Sequence, residues 1–217
     1  MLSNSINRKF GLDIVRAVAV SLVVGIHLVN NIFSIDIGFF WFLAYLGVEI
    51  FFNLSGFLIG NILINSIDPI SGKLSFQSLK RFYLRRWFRT FPLYYVLLLL
   101  NFFASFFLFK SVNSFDFRYL FWLHNFNTFP PSFFGESWSL SIEEWFYLIF
   151  PLGMLLTLRT NSLPSKHILL TYTILFIIIG FNLRFFNLQN GFDEFNIVIY
   201  RLDAICYGVL FAILNRF

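Results

Sequence analysis

Six apolar runs, at about 12–33, 38–64, 91–109, 138–158, 168–183 and 196–214, recur along the 217 residues of this chain, each near the length of a bilayer crossing. A helical crossing needs roughly 20 predominantly apolar residues, since the hydrocarbon core is about 30 Å thick and an α-helix rises about 1.5 Å per residue. Lipid offers no partner to backbone N–H and C=O groups, so runs of this length are read as helices that satisfy their own. The predicted fold is all-α: a polytopic bundle of about six spans, forming one membrane domain over 1–217. With 58% hydrophobic and only 12% charged residues, a water-soluble domain could not cover itself with polar surface. The chain stops at Phe217 directly after the sixth run, so the expectation is a C-terminally incomplete part of a larger bundle.

The net charge is +5, but the sixteen Lys and Arg alternate with the spans instead of forming one exposed stripe, which argues against nucleic acid. With the N-terminus inside, Arg8, Lys9, Arg16, Lys73, Lys80, Arg81, Arg85, Arg86, Arg89, Arg159, Lys166 and Arg216 lie on or near the inner side. Lys110, Arg118, Arg184 and Arg201 remain toward the outside, and twelve against four is the positive-inside bias. Cys206 is the only cysteine, which excludes an intrachain disulfide and a zinc site built on cysteine; no metal site is expected.

Polar side chains inside such runs are costly and mark a functional site by default. Arg16 and His27 share the first run, eleven positions apart, so they face one side at roughly 16 Å along the axis. The second run places Glu49, Asn53, Gly56 and Gly60 on one helical face, where the glycines permit close packing. Arg81, Arg85 and Arg89 repeat every four residues among aromatic side chains, which predicts an amphipathic helix on the inner surface, bent into span three at Pro92. Residues 111–135 read as an outer loop with a half-buried segment carrying His124. The Ser141-x-x-Glu144 spacing reads as a capping box, which leaves Glu143 free for a site. Counting helical rise from each outer boundary puts His27, Glu143, Arg201 and Asp203 at one level, roughly 8 to 10 Å deep.

This arrangement predicts a cleft with a cationic inner mouth and a titratable histidine toward the outer half. His27 suits general-base catalysis, with a carboxylate such as Glu143 to orient it. Arg16 suits phosphate through its planar fork, unless it merely snorkels or pairs with Asp13.

The R-x10-H of Arg16 and His27, the GVEIFFNLSGFLIG of residues 47–60, FYLRRWFRTFPLYY with Arg86 and Arg89, WSLSIEEWFYLIFP of residues 138–151 and RLDAICYG of residues 201–208 occur in this order. In these five segments the chain resembles the acyltransferase family 3 membrane proteins, O-acyltransferases that modify cell-envelope polysaccharides. The resemblance implies that an acyl group, usually acetyl, passes from cytoplasmic acyl-coenzyme A to a hydroxyl of a carbohydrate or lipid-linked glycan on the far side of a bacterial cytoplasmic membrane. It implies that His27 activates that hydroxyl or carries the acyl group, and that Arg16 assists transfer. Arg86 and Arg89, with neighbouring Arg85, become donor-side residues. Glu143 joins the site, and Glu49, Asn53, Arg201 and Asp203 line it without an assigned role. Members of that family commonly carry several more spans, whereas this sequence ends after its sixth. The competing readings are a transporter or flippase, whose pathway would also need intramembrane Arg, His and Glu, and a fragment whose polar residues only pack the bundle.

Overall fold

The computed structural model describes residues 10–33, 38–68, 70–109, 115–160, 164–188 and 195–216. The connection between the first two spans, Arg8, Lys9 and Lys110 of the charge pattern, and Phe217 lie outside them. The described elements are α1 (Phe10–Phe33), α2 (Gly38–Asn65), α3 (Phe76–Phe109), α4 (Trp138–Thr160), α5 (Ser165–Leu188) and α6 (Leu202–Arg216), with three short 3-10 helices between them. Six helical segments are long and apolar enough to cross a membrane, and no strand occurs among the described residues.

Glycine decides where the helices meet most closely. A Cβ at Gly56 would overlap the carbonyl oxygen of Ile205, and one at Gly208 that of Asn53, so α2 and α6 touch backbone to backbone. Gly60 continues this seam against Ala212 and Val209. In lipid, where apolar surfaces gain little by leaving solvent, such close packing is a main source of helix association. Around it lies the core of Phe52, Ile59, Leu63, Phe146, Phe150 and Val209. By contrast, α1 packs on α2 through Ala19 and Ile26 and leaves Ile14, Val18, Val24 and Leu28 exposed.

The predicted surface helix with a bend at Pro92 is instead one continuous element, α3, with Pro92 inside it. Its first turns are docked on α4: Tyr83 donates to the Leu148 carbonyl at 2.9 Å, and Arg86 contacts Tyr147. Those contacts hold the basic segment against the bundle, where the amphipathic pattern alone placed it on a lipid surface. At 34 residues the helix is roughly 51 Å long, well beyond the membrane core, so part of it stands outside the hydrocarbon.

The capping box is also absent. A 3-10 helix at Ser132–Ser137 runs straight into α4, which begins at Trp138, so Ser141 already lies within the helix. Its hydroxyl donates to the Ser137 carbonyl at 3.3 Å. Glu144 is instead buried, with neither carboxylate oxygen hydrogen-bonded among the described residues. It borders a cavity of about 310 Å³ walled by Trp87, Phe91, Trp122 and Trp145.

The loop between α3 and α4 is folded, as its half-buried segment led one to expect. Asp116 caps a 3-10 helix at Phe117–Phe121, and Tyr94 of α3 donates to the Tyr119 carbonyl at 2.8 Å. His124 is fully buried, stacked on Tyr119 at 4.1 Å, with Nε2 at 3.0 Å from Ser137 Oγ. Burial pushes this imidazole down to about 4, against the opposing pull of Asp116. Its folded value is thus below its unfolded value near 6.5, so its stabilising contribution is present above 6.5 and is lost as pH falls toward 4. The thermal midpoint of the wild type should fall more steeply between pH 7 and 5 than that of His124→Asn. Parallel slopes would show that His124 does not carry the effect.

Candidate active site

Three helices assemble a compact polar cluster around Glu143. Its carboxylate accepts from Ser55 Oγ of α2 at 2.7 Å and from the Tyr147 hydroxyl, one turn along α4, at 2.8 Å. Arg86 of α3 pairs with it at 3.6 Å, and its guanidinium lies 4.0 Å from the centre of the Tyr147 ring. An acid removed from water needs this kind of support, since an unpaired buried charge is severely unfavourable. Arg89 lies within electrostatic range of Arg86, Glu143 and Arg16, so a further cation from α1 faces the same region. Arg16 is itself paired with Asp13 at 3.2 Å and remains substantially exposed.

His27 belongs to a different place. Its ring meets Trp41 edge-on at 5.6 Å and is exposed to a cavity of about 740 Å³. Tyr45, Ser132, Glu136 and Ser139 share the lining of this cavity, and the loop before α4 forms one wall. A volume of this size suits a small-molecule or oligosaccharide site. The carboxylate sharing the space with His27 is Glu136, whereas Glu143 is engaged by Ser55, Tyr147 and Arg86.

The remaining predicted residues are not among those that line this cavity. Arg201, nearly buried, pairs with Glu49 across α2 and α6, with its guanidinium 5.4 Å from the Tyr45 ring and 5.8 Å from that of Phe195. Asn53 spends one side-chain N–H on the Glu49 carbonyl at 2.9 Å. Asp203 is fully buried against Gly180 and pairs with Arg184 of α5. His27, Glu143, Arg201 and Asp203, expected at one depth, thus have four different sets of partners. The Glu49–Arg201 pair steadies Tyr45 in the cavity wall.

Arg85, one turn before Arg89 on the same face of α3, faces a different space. It borders a polar cavity at the end of the bundle where α2 passes into α3. No group of three His, Cys, Asp or Glu side chains gathers among the described residues.

Sequence reasoning missed Tyr147, Ser55 and Glu136. Tyr147 had a usable signal, since it stands four residues after Glu143 on the same helical face. Ser55 and Glu136 had none: their roles come from contacts between distant segments.

Comparison with known proteins matches this arrangement to a family. A model of an acyltransferase domain matches residues 9–217. The peptidoglycan O-acetyltransferase OatA of Listeria monocytogenes is 33% identical over 177 residues, covering 73% of this chain and 26% of that protein. A Staphylococcus aureus protein named only provisionally as an O-acetyltransferase is 29% identical over 225 residues, covering 94% of this chain and 34% of the relative. An uncharacterised Haemophilus influenzae protein is 31% identical over 148 residues, covering 61% of this chain and 58% of the relative. The chain therefore spans about a quarter to a third of the length of the first two. No solved structure matches it. The domain match runs almost the whole length of a chain whose helices are built to cross a membrane, and on that basis this multi-pass membrane protein belongs to acyltransferase family 3.

Proposed function

We propose that the protein transfers an acyl group, acetyl in the simplest case, from acyl-coenzyme A to a hydroxyl of a cell-envelope glycan. The observation that carries this reading is the separation of two polar regions along α1: His27 on a roomy cavity, and Arg16 roughly 16 Å away, within electrostatic range of Arg89. The arginines suit the phosphates of the donor, through paired N–H groups and fixed charge. Arg85 extends the same basic face. The cavity at His27 suits the acceptor, and Glu136 offers a carboxylate beside the imidazole.

In this scheme the imidazole of His27 removes the proton from the acceptor hydroxyl as its oxygen attacks the thioester carbonyl. A C–O bond forms, the C–S bond breaks, and the proton passes from His27 to the departing thiolate, leaving an ester and free coenzyme A. Glu143, held by Ser55 and Tyr147, keeps Arg86 in place for the donor. Glu49 and Arg201, paired with each other, support the cavity wall at Tyr45. The twelve-to-four charge bias supports an N-terminus and arginine cluster on the cytoplasmic side of a bacterial cytoplasmic membrane, with the His27 cavity facing outward. The name of the Listeria relative makes peptidoglycan the first acceptor to try.

The test is acyl transfer in proteoliposomes, with acetyl-labelled coenzyme A on the side of the arginines and peptidoglycan fragments on the other. Label should appear in the glycan as an alkali-labile ester. Absence of label, with glycan flux that needs no donor, would replace this reading by transport.

A further inference from the structure

A short turn joins α2 to α3 and closes over the cavity that Arg85 borders. Ile67 and Leu74 form a single antiparallel bridge, Gly72 takes a left-handed conformation at φ 64°, and Leu74 is buried, which anchors the turn in the core. Asp68 accepts from the backbone N–H groups of Ile70 at 2.8 Å and Ser71 at 2.7 Å, so one of its oxygens is committed within the turn. These bonds hold its carboxyl below the usual carboxylate range, and it remains anionic.

The cavity has a volume of about 440 Å³ and takes Lys73, Arg81 and Arg85 into its lining, together with Ser75, Ser78 and Asp68. None of the three cations is ion-paired to a carboxylate among the described residues, and Arg81 has only a 3.4 Å contact with Ser78 Oγ. Three positive groups against one anion, around a concave space of ligand size, leave an excess of positive charge among the described residues. Ser75 caps the start of α3: its hydroxyl accepts from the Ser78 N–H at 3.1 Å and donates to Ser78 Oγ at 2.9 Å, which leaves the Ser78 hydroxyl proton to meet a ligand in the cavity. Cations, hydroxyls and a helix N-terminus together are the chemistry of phosphate recognition.

We infer that this cavity between α2 and α3 is a phosphate-binding site, formed by Lys73, Arg81 and Arg85 with the hydroxyl of Ser78. The phosphate can come from the nucleotide end of the donor or from an anionic lipid headgroup, and the nucleotide is the better fit. Arg81, Arg85 and Arg89 lie on one face of α3, with Arg89 roughly 12 Å along the axis from Arg81, so a donor anchored by its phosphates here extends along α3 toward Arg86 and Glu143. This assignment of the source rests on the acyltransferase reading. The phosphate site itself does not.

The experiment measures binding of coenzyme A and of pantetheine, which lacks the nucleotide, to the purified protein in phosphatidylcholine nanodiscs. Lys73→Ala, Arg81→Gln and Arg85→Gln are compared with Arg118→Ala, a control from the far loop. Co-purified phosphatidylglycerol is measured on the same samples by native mass spectrometry. The three variants should each weaken coenzyme A about tenfold and leave pantetheine and the melting temperature unchanged. Unchanged coenzyme A affinity with lost phosphatidylglycerol would keep the phosphate site and assign it to lipid. If both are unchanged in all three variants, the inference is overturned. If the wild type binds neither coenzyme A nor pantetheine, the donor assignment fails, and the phosphatidylglycerol measurement alone decides the site.

Discussion

Replacing His27 by alanine should abolish acyl transfer while leaving the protein folded in the membrane. Positioned general bases contribute about 10² to 10⁴ in rate, so the variant should lose at least a hundredfold in the proteoliposome assay. Folding should be spared, because the ring is exposed to the cavity and its packing is an edge contact with Trp41. The measurement needs two readouts on one preparation: labelled ester formed per unit time, and the melting temperature in detergent. Transfer within threefold of the wild type would remove His27 from the mechanism. A lost melting transition would make its role structural. If His27 acts on the acceptor alone, coenzyme A should bind the variant as it binds the wild type, since the arginine cluster is untouched.

The second large effect concerns the fold. Gly56→Ala and Gly208→Ala each place a methyl group on a backbone carbonyl of the facing helix, where no side chain can rotate away. Overpacking in a tight interior costs about 1 to 3 kcal/mol, and a clash with backbone belongs at or above the upper end. The two helices would have to separate, and with them the Glu49–Arg201 pair that crosses the same interface. Gly25→Ala is the informative contrast. It lies within α1, where an added methyl group would meet nothing within 4 Å, so it should stabilise by about 0.5 to 1 kcal/mol through helix propensity. Thermal unfolding of the three variants checks the expectation. Similar midpoints for all three would mean that α2 and α6 do not meet as described.

The two predictions draw on residues of unequal visibility. Gly56 and Gly60 were readable as a packing stripe from their spacing, but nothing in the sequence named α6 as the partner. His27 stood out because imidazole in an apolar run is rare, yet its carboxylate neighbour was sought in Glu143, the more conspicuous acid inside a span. The cavity beside His27 holds Glu136 instead, from a segment that reads as ordinary loop. Pro92 misled for a related reason: a proline marks where a helix loses a hydrogen bond, while docking of Tyr83 and Arg86 on α4 keeps the flanking turns in one helix.

By itself the sequence determined the number of membrane-length helices, the all-α class and the face on which Arg16 and His27 lie, because each depends on local quantities: apolar length, helical period and the desolvation of charge. The tertiary structure alone decided that Glu136 shares the cavity with His27, that Glu143 is committed to Ser55, Tyr147 and Arg86, and that Arg201 and Asp203 are held in ion pairs. Those pairings join residues up to 152 positions apart, and no periodicity along a chain encodes which distant helix will pack against it.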